Sequence, residues 1–212
     1  MSYKSGFVSV IGRPNVGKSS LVNAIIGEKI AITSDKPQTT RQRISGALHV
    51  DGGQIVYLDC PGVHRARGGL NKFMVDEAFA TLRDADVVYF MPEIKPSDLR
   101  ADPIRLRDSD LEIVEKIKKR ERTIFCVINK CDLFRRDELA YFAKTLEDYG
   151  DFNKVFVVSA LTDEGIDDLV KATFALMPEG DPYYPEEQIT DKDLNFQVAE
   201  IIRGKVIEAT RQ

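Results

Sequence analysis

The chain has 212 residues, 43% of them apolar, and a formal charge of −4. This is enough to bury the core of one domain of about 150–200 residues with a small appendage. It excludes the broad basic surface of a protein held to nucleic acid mainly by phosphate contacts. No run of about 18 apolar residues reads as a membrane span, and Met1 to Ser5 lack the basic-then-apolar order of a secretory signal, so a cytoplasmic location is expected. The three cysteines, Cys60, Cys126 and Cys131, offer no CxxC pair and read as reduced structural thiols.

Gly6 to Ile11 is a short, β-branched-rich apolar run and predicts a buried strand. It leads into Gly12-Arg13-Pro14-Asn15-Val16-Gly17-Lys18-Ser19, which fits G-x-x-x-x-G-K-[ST]. Leu21, Val22, Ala24, Ile25 and Ile26 follow at helical spacing, and Gly27 stands where a C-terminal cap belongs. A strand, this loop and a helix in that order make a P-loop. Gly12 and Gly17 let backbone N–H groups turn inward around a phosphate, and the helix N-terminus adds partial positive charge. Lys18 can reach the β- and γ-phosphates, while the Ser19 hydroxyl can bind Mg²⁺.

Ile30 to Arg41 loses periodicity and reads as an exposed loop of the kind that can switch. Ile44 to Val50 and Gln54 to Leu58, separated by Asp51-Gly52-Gly53, predict an antiparallel hairpin. Asp59-Cys60-Pro61-Gly62 ends the second strand. A carboxylate there, close to a P-loop, is placed to hold Mg²⁺ through water, and Gly62 can turn its N–H toward a γ-phosphate. Helical spacing returns from Leu70 to Leu82, and Asp86 to Met91 predicts another buried strand. The polar stretch from Pro92 to Asp110, with Arg100, Arg105 and Arg107, reads as a solvated mixed-charge loop rather than as the source of an internal arginine finger.

Leu111 to Arg120 predicts an amphipathic helix with acids first and bases last, which complements its dipole. The apolar strand Thr123 to Ile128 then runs into Asn129-Lys130-Cys131-Asp132. A carboxylate at Asp132 can accept from both N1–H and the N2 amino group of guanine, each bond worth about 1.5–3 kcal/mol. Adenine offers neither donor, so the residue predicts guanine over adenine. A helix over Glu138 to Tyr149, a strand over Val155 to Val158 and the turn Ser159-Ala160-Leu161 follow, with the Ala160 N–H a candidate partner for guanine O6. Ile166 to Met177 supplies a helix with Asp163 or Asp167 as candidate caps. The alternation predicts an α/β fold: a mostly parallel six-stranded sheet with one antiparallel hairpin strand and helices on both faces. The proline-rich acidic stretch after Met177 predicts a linker over 179–190, and Leu194 to Ala209 an amphipathic helix within 191–212.

In this order the motifs resemble the nucleotide boxes of translation-factor-class GTPases. Gly12 to Leu21, Ile30 to Ser34, Gln38 to Arg41, Ile189-Thr190-Asp191 and Ala199 to Arg203 together resemble the Era-like family of bacterial GTPases, over about residues 6–205. The resemblance implies a P-loop GTPase domain over 1–178 and, over 191–212, the opening of a KH-type domain that lacks the G-x-x-G loop by which such domains clamp RNA backbone. It implies GTP hydrolysis to GDP and phosphate, a switch role in small ribosomal subunit assembly, and 16S rRNA as partner. Another ribosome-assembly GTPase, or a nucleotide-regulated binding module with little hydrolysis, is the alternative. The implied nucleotide site is Gly12, Arg13, Pro14, Asn15, Val16, Gly17, Lys18, Ser19 and Ser20, with Asp59, Gly62, Asn129, Lys130, Asp132, Ser159, Ala160 and Leu161. Ser19, Thr40 and Asp59 are the implied Mg²⁺ groups, and Asn15, Lys18, Thr40 and Gly62 the implied catalytic ones. Val63 stands where Ras-like proteins carry a water-orienting glutamine, and an aliphatic side chain cannot orient water. Relatives use a P-loop asparagine, matching Asn15, to help place a potassium ion, so K⁺ is a further expected cofactor. His64 reads as an exposed loop residue rather than a base.

Overall fold

The computed structural model describes residues 2–31, 43–63, 76, 78–119 and 122–209. Strand β1 (Lys4–Gly12) leads through the P-loop into helix α1 (Lys18–Ile26), and β2 (Ile44–Val50) and β3 (Gly53–Asp59) form the expected hairpin. A 3₁₀ turn (Thr81–Arg83) precedes β4 (Val87–Met91), then come α2 (Asp108–Lys118), β5 (Thr123–Ile128), α3 (Arg136–Asp148), β6 (Lys154–Val157), α4 (Ile166–Ala175) and α5 (Leu194–Ala209). The six strands lie in the order β2-β3-β1-β4-β5-β6, and only β2 runs antiparallel to its neighbour.

Period-two alternation divides the strand side chains between two cores. On one face Val8, Val10, Tyr57, Tyr89 and Val127 pack with Leu21, Val22 and Ile25 of α1 and Leu169 of α4. On the other, Ile11, Leu58, Val88, Phe90, Cys126 and Ile128 pack with Ile113, Val114 and Ile117 of α2 and Leu139, Phe142 and Leu146 of α3. Both faces are covered, which is why β4 and β5 are almost continuously apolar. Strand order reverses beside β1, because β3 lies on one side of it and β4 on the other. The crevice at that switch point, beyond the carboxyl ends of the strands, is where ligands of open α/β sheets bind.

Beyond shifts of one or two residues at element ends, three features differ from the expectation. Helix α2 begins at Asp108, within the stretch read as loop, and the preceding segment is not simply solvated: Leu99, Ile104 and Leu106 are buried in the core. Neither Asp163 nor Asp167 caps α4; the cap position is Gly165 in the left-handed region at φ 75°, and Asp167 stands in the first turn, where it complements the dipole. The proline-rich stretch after α4 lies along the sheet. Ser5 N–H donates to Pro178 O and Gly180 N–H to Tyr3 O, Tyr183 packs on Phe7 at 4.4 Å, and the buried Gln54 amide bonds the backbone of Tyr183 and Tyr184. Ala47 N–H then donates to Ile189 O, and Thr190 Oγ1 to Ser45 O. This strap thus satisfies part of the open edge of β2, which would otherwise be a template for pairing with another chain.

The three cysteines are free and buried, in keeping with their reading as structural thiols. Helix α5 leaves Val198, Ile201 and Ile202 exposed. Among the described residues no helix is long and apolar enough to cross a membrane.

Candidate nucleotide site

The P-loop owes its path to two close approaches and two left-handed residues. Gly17 at φ 96° opens α1, and a Cβ there would lie 2.3 Å from Asn129 Nδ2. Asn15 at φ 66° turns the loop before it, in the conformation that asparagine tolerates best after glycine. Gly62, just past β3, touches the loop from the other side: a Cβ there would lie 2.7 Å from Pro14 N and 2.8 Å from Pro14 Cα. Val63 N–H donates to Gly12 O at 3.0 Å, and its side chain is buried in the core, turned away from the crevice.

Lys18 and Ser19, at the start of α1, meet Asp59, at the end of β3. Lys18 Nζ donates to Arg13 O at 2.9 Å, and Ser19 Oγ donates to Asp59 Oδ2 at 2.6 Å. The Lys18 side chain is buried, and desolvation lowers its pKa while the nearby Asp59 carboxylate partly restores it. A buried ammonium held down by desolvation is stabilised by any anion that enters beside it, so the loop favours a phosphate-bearing ligand. The Ser19 hydroxyl and Asp59 carboxylate are hard oxygen donors, a set that fits Mg²⁺. Among the described residues no group of three or more His, Cys, Asp or Glu gathers. Thr40 and His64 lie outside the described residues.

The residues expected to read the base come from the ends of β5 and β6. Asn129 Nδ2 donates to Val16 O at 3.2 Å, and its Oδ1 accepts from Ala160 N–H at 3.0 Å, so one buried amide ties the P-loop to the turn after β6. The Ala160 N–H expected at guanine O6 is thus engaged by Asn129 here. Lys130, left-handed at φ 66°, lays its ammonium on Asn15 O at 2.9 Å. Asp132 is exposed, and its Oδ1 accepts from Ser159 Oγ at 2.6 Å, which aims the carboxylate. The same Ser159 oxygen accepts from Leu161 and Thr162 N–H, fixing the turn that carries Ala160, while the Leu161 side chain stands in solvent. Ser20 is half-buried in the first turn of α1.

One group around this site escapes sequence reasoning. The Arg13 guanidinium binds the Glu93 carboxylate, just beyond β4, and Arg107 bonds Glu93 at 3.5 Å and Asp98 bidentately at 2.8 and 3.1 Å. Asp110 is buried against this cluster. Charges alternating through a polar loop carry no mark of which partner each will find. Of the other arginines in that loop, Arg100 pairs with Glu138 and Arg105 is exposed.

The sequence profile of the 50S ribosome-binding GTPase family matches residues 7–130. The GTPase Era of Geobacter metallireducens is 44% identical over 211 residues, covering 99% of this chain and 67% of its own length. That of Carboxydothermus hydrogenoformans is 42% identical over 212 residues, covering 100% and 68%. Two crystal structures superpose with a TM-score of 0.89 at 34% identity over 99% of this chain and 69% of theirs: Era with MgGDPNP and nucleotides 1506–1542 of 16S ribosomal RNA, and an Aquifex aeolicus Era variant bound to GDP·AlF4⁻. The chain thus spans about two thirds of the length of these relatives. At this identity and coverage, and with the same fold, the chain belongs to the Era family of GTPases.

Proposed function

We propose that the chain is a GTP-driven switch serving small ribosomal subunit assembly, with GTP lying across the ends of β1, β3, β5 and β6. The observation that supports this most directly is the single buried amide of Asn129, which joins the phosphate loop to the turn that would read the base. Gly12 to Ser20 wrap the phosphates, Lys18 leaves Arg13 O for the β- and γ-phosphates, and Asp132, aimed by Ser159, accepts from guanine. Ser19 and Asp59, with Thr40, would hold Mg²⁺, which when bound offsets the negative charge of the phosphates. Water attacks the γ-phosphorus in line, the bond to the bridging β-phosphate oxygen breaks, and GDP and phosphate leave. Lys18 and the Gly62 N–H oppose the charge that gathers on the transferring group.

Val63 points into the core, so it does not orient the attacking water. Asn15, exposed on the loop, is our candidate for helping to hold a K⁺ ion whose charge acts on the same transition state. A second reading, a nucleotide-regulated binding module with little hydrolysis, rests on the same buried Val63. The RNA partner follows the relative bound to a 16S rRNA fragment, and a cytoplasmic location goes with ribosome assembly. We divide the chain into a GTPase domain over 1–178, a connecting strap over 179–190 and the opening of a KH-type domain over 191–212.

Phosphate release from GTP in potassium against sodium buffer tests the reading, with ATP and Asp132→Asn as controls. We expect potassium-stimulated turnover of GTP, none of ATP, and a loss of at least about a hundredfold in GTP affinity for Asp132→Asn, since two charged hydrogen bonds are weakened. Tight GTP binding without turnover in either salt would favour the binding module. Equal binding of ATP and GTP would refute the guanine assignment.

A further inference from the structure

The crevice is held from outside by residues that touch neither of the motifs described above except at Arg13. Register places them there. Gly12 pairs with Met91, so Arg13 and Glu93 leave neighbouring strands side by side just past their carboxyl ends. Arg13 and Glu93 are only 31% and 33% exposed, and the Glu93 carboxylate is shared with Arg107. Arg107 is in turn locked by the bidentate Asp98 contact, and its carbonyl accepts the Asp110 and Leu111 N–H groups at the start of α2. A rigid helix start, a clamped guanidinium and one carboxylate therefore run in series to the second residue of the P-loop. That residue's carbonyl is the acceptor of the Lys18 ammonium.

We propose that Glu93 is a positioning residue for the phosphate loop: by clamping the Arg13 guanidinium against the start of α2, it fixes the backbone that orients Lys18 and the loop N–H groups before nucleotide arrives. The inference rests on the P-loop reading above and adds to it a residue outside the nucleotide motifs. A loop whose N–H groups are already turned inward loses less conformational freedom when phosphate binds, so the effect falls on nucleotide affinity. Partly shielded ion pairs contribute up to about 1 kcal/mol. Glu93→Gln is therefore expected to weaken GDP binding about threefold to fivefold, with KM for GTP rising in step and kcat changing less.

The test combines a double-mutant cycle with hydrogen exchange on the whole chain. GDP affinity is measured for wild type, Glu93→Gln, Arg13→Gln and the double variant, and backbone amide exchange over residues 13–18 is followed in nucleotide-free wild type and Glu93→Gln. The inference expects faster exchange in the loop of Glu93→Gln and unaltered exchange in β5. It also expects weaker GDP binding that is not weakened further when Glu93→Gln is added to Arg13→Gln. Exchange unchanged in the loop, or equal losses from Glu93→Gln in both backgrounds, would overturn it. If wild type fails to bind GDP at all, the functional reading falls and the positioning role with it; loss of the clamp alone leaves wild-type binding intact, so the two failures are told apart.

Discussion

Asp110 offers a test of the energetics beside the site. It stands in the first turn of α2 with no exposed surface, among the side chains of Arg13, Glu93 and Arg107. Desolvation pushes its pKa up from 3.8 to about 6; Arg13 pulls it down, Glu93 pushes it further up and Arg107 pulls it down. The folded chain therefore keeps a proton that the unfolded chain has already released. Stability from this group is complete below the unfolded value of 3.8 and is lost as pH rises through the folded value of about 6. At about 1.36 kcal/mol per pKa unit, the full loss is about 3 kcal/mol, of which more than about 1 kcal/mol falls between pH 5 and pH 8. Asp110→Asn removes the ionisation while keeping the shape. Urea unfolding of both proteins, followed by circular dichroism at those two pH values, cancels any constant offset from the amide itself. The stability difference should move toward the variant by more than about 1 kcal/mol between them. A difference flat to within about 0.5 kcal/mol would refute the view that Asp110 is held in a desolvated, raised-pKa state.

Gly62→Ala drives a Cβ against Pro14 N and Cα, backbone that cannot swing away like a side chain. We expect about 1–3 kcal/mol of destabilisation or an equivalent displacement of the P-loop, read as a lower melting temperature together with slower GTP turnover; unchanged values in both would refute the contact. Burial pushes the Cys60 thiol up to about 11 and raises those of Cys126 and Cys131 as well. Thiolate is the reactive form, so a disulfide reagent at about pH 8 should label Cys60 of the native protein at least about a hundredfold more slowly than Cys60 of the urea-unfolded chain. Rapid labelling of one thiol in the native state would show that its strand end opens.

The sequence by itself determined the parts of this protein whose cause is local. Short, nearly continuous apolar runs specified the central strands β1, β4 and β5, because a strand buried on both faces must be apolar almost throughout. Asp51-Gly52-Gly53 specified the one antiparallel pair, with Gly52 at φ 78° as such a turn requires. The P-loop, Asp59 and Asn129 to Asp132 were legible because glycine, lysine and carboxylate chemistry at fixed spacing has few other uses. Only the tertiary structure decided what depends on partners distant in the chain. That Glu93 meets Arg13 follows from β4 pairing with β1, and that Asp110 is buried beneath them follows from where α2 begins. The acidic stretch after α4 read as a linker on composition, yet Gln54 and the edge of β2 draw its backbone onto the sheet, 129 and 130 residues from Gln54 to Tyr183 and Tyr184. Ion pairs and strand-edge hydrogen bonds of this kind are chosen by proximity, and proximity exists only once the sheet has closed on its helices.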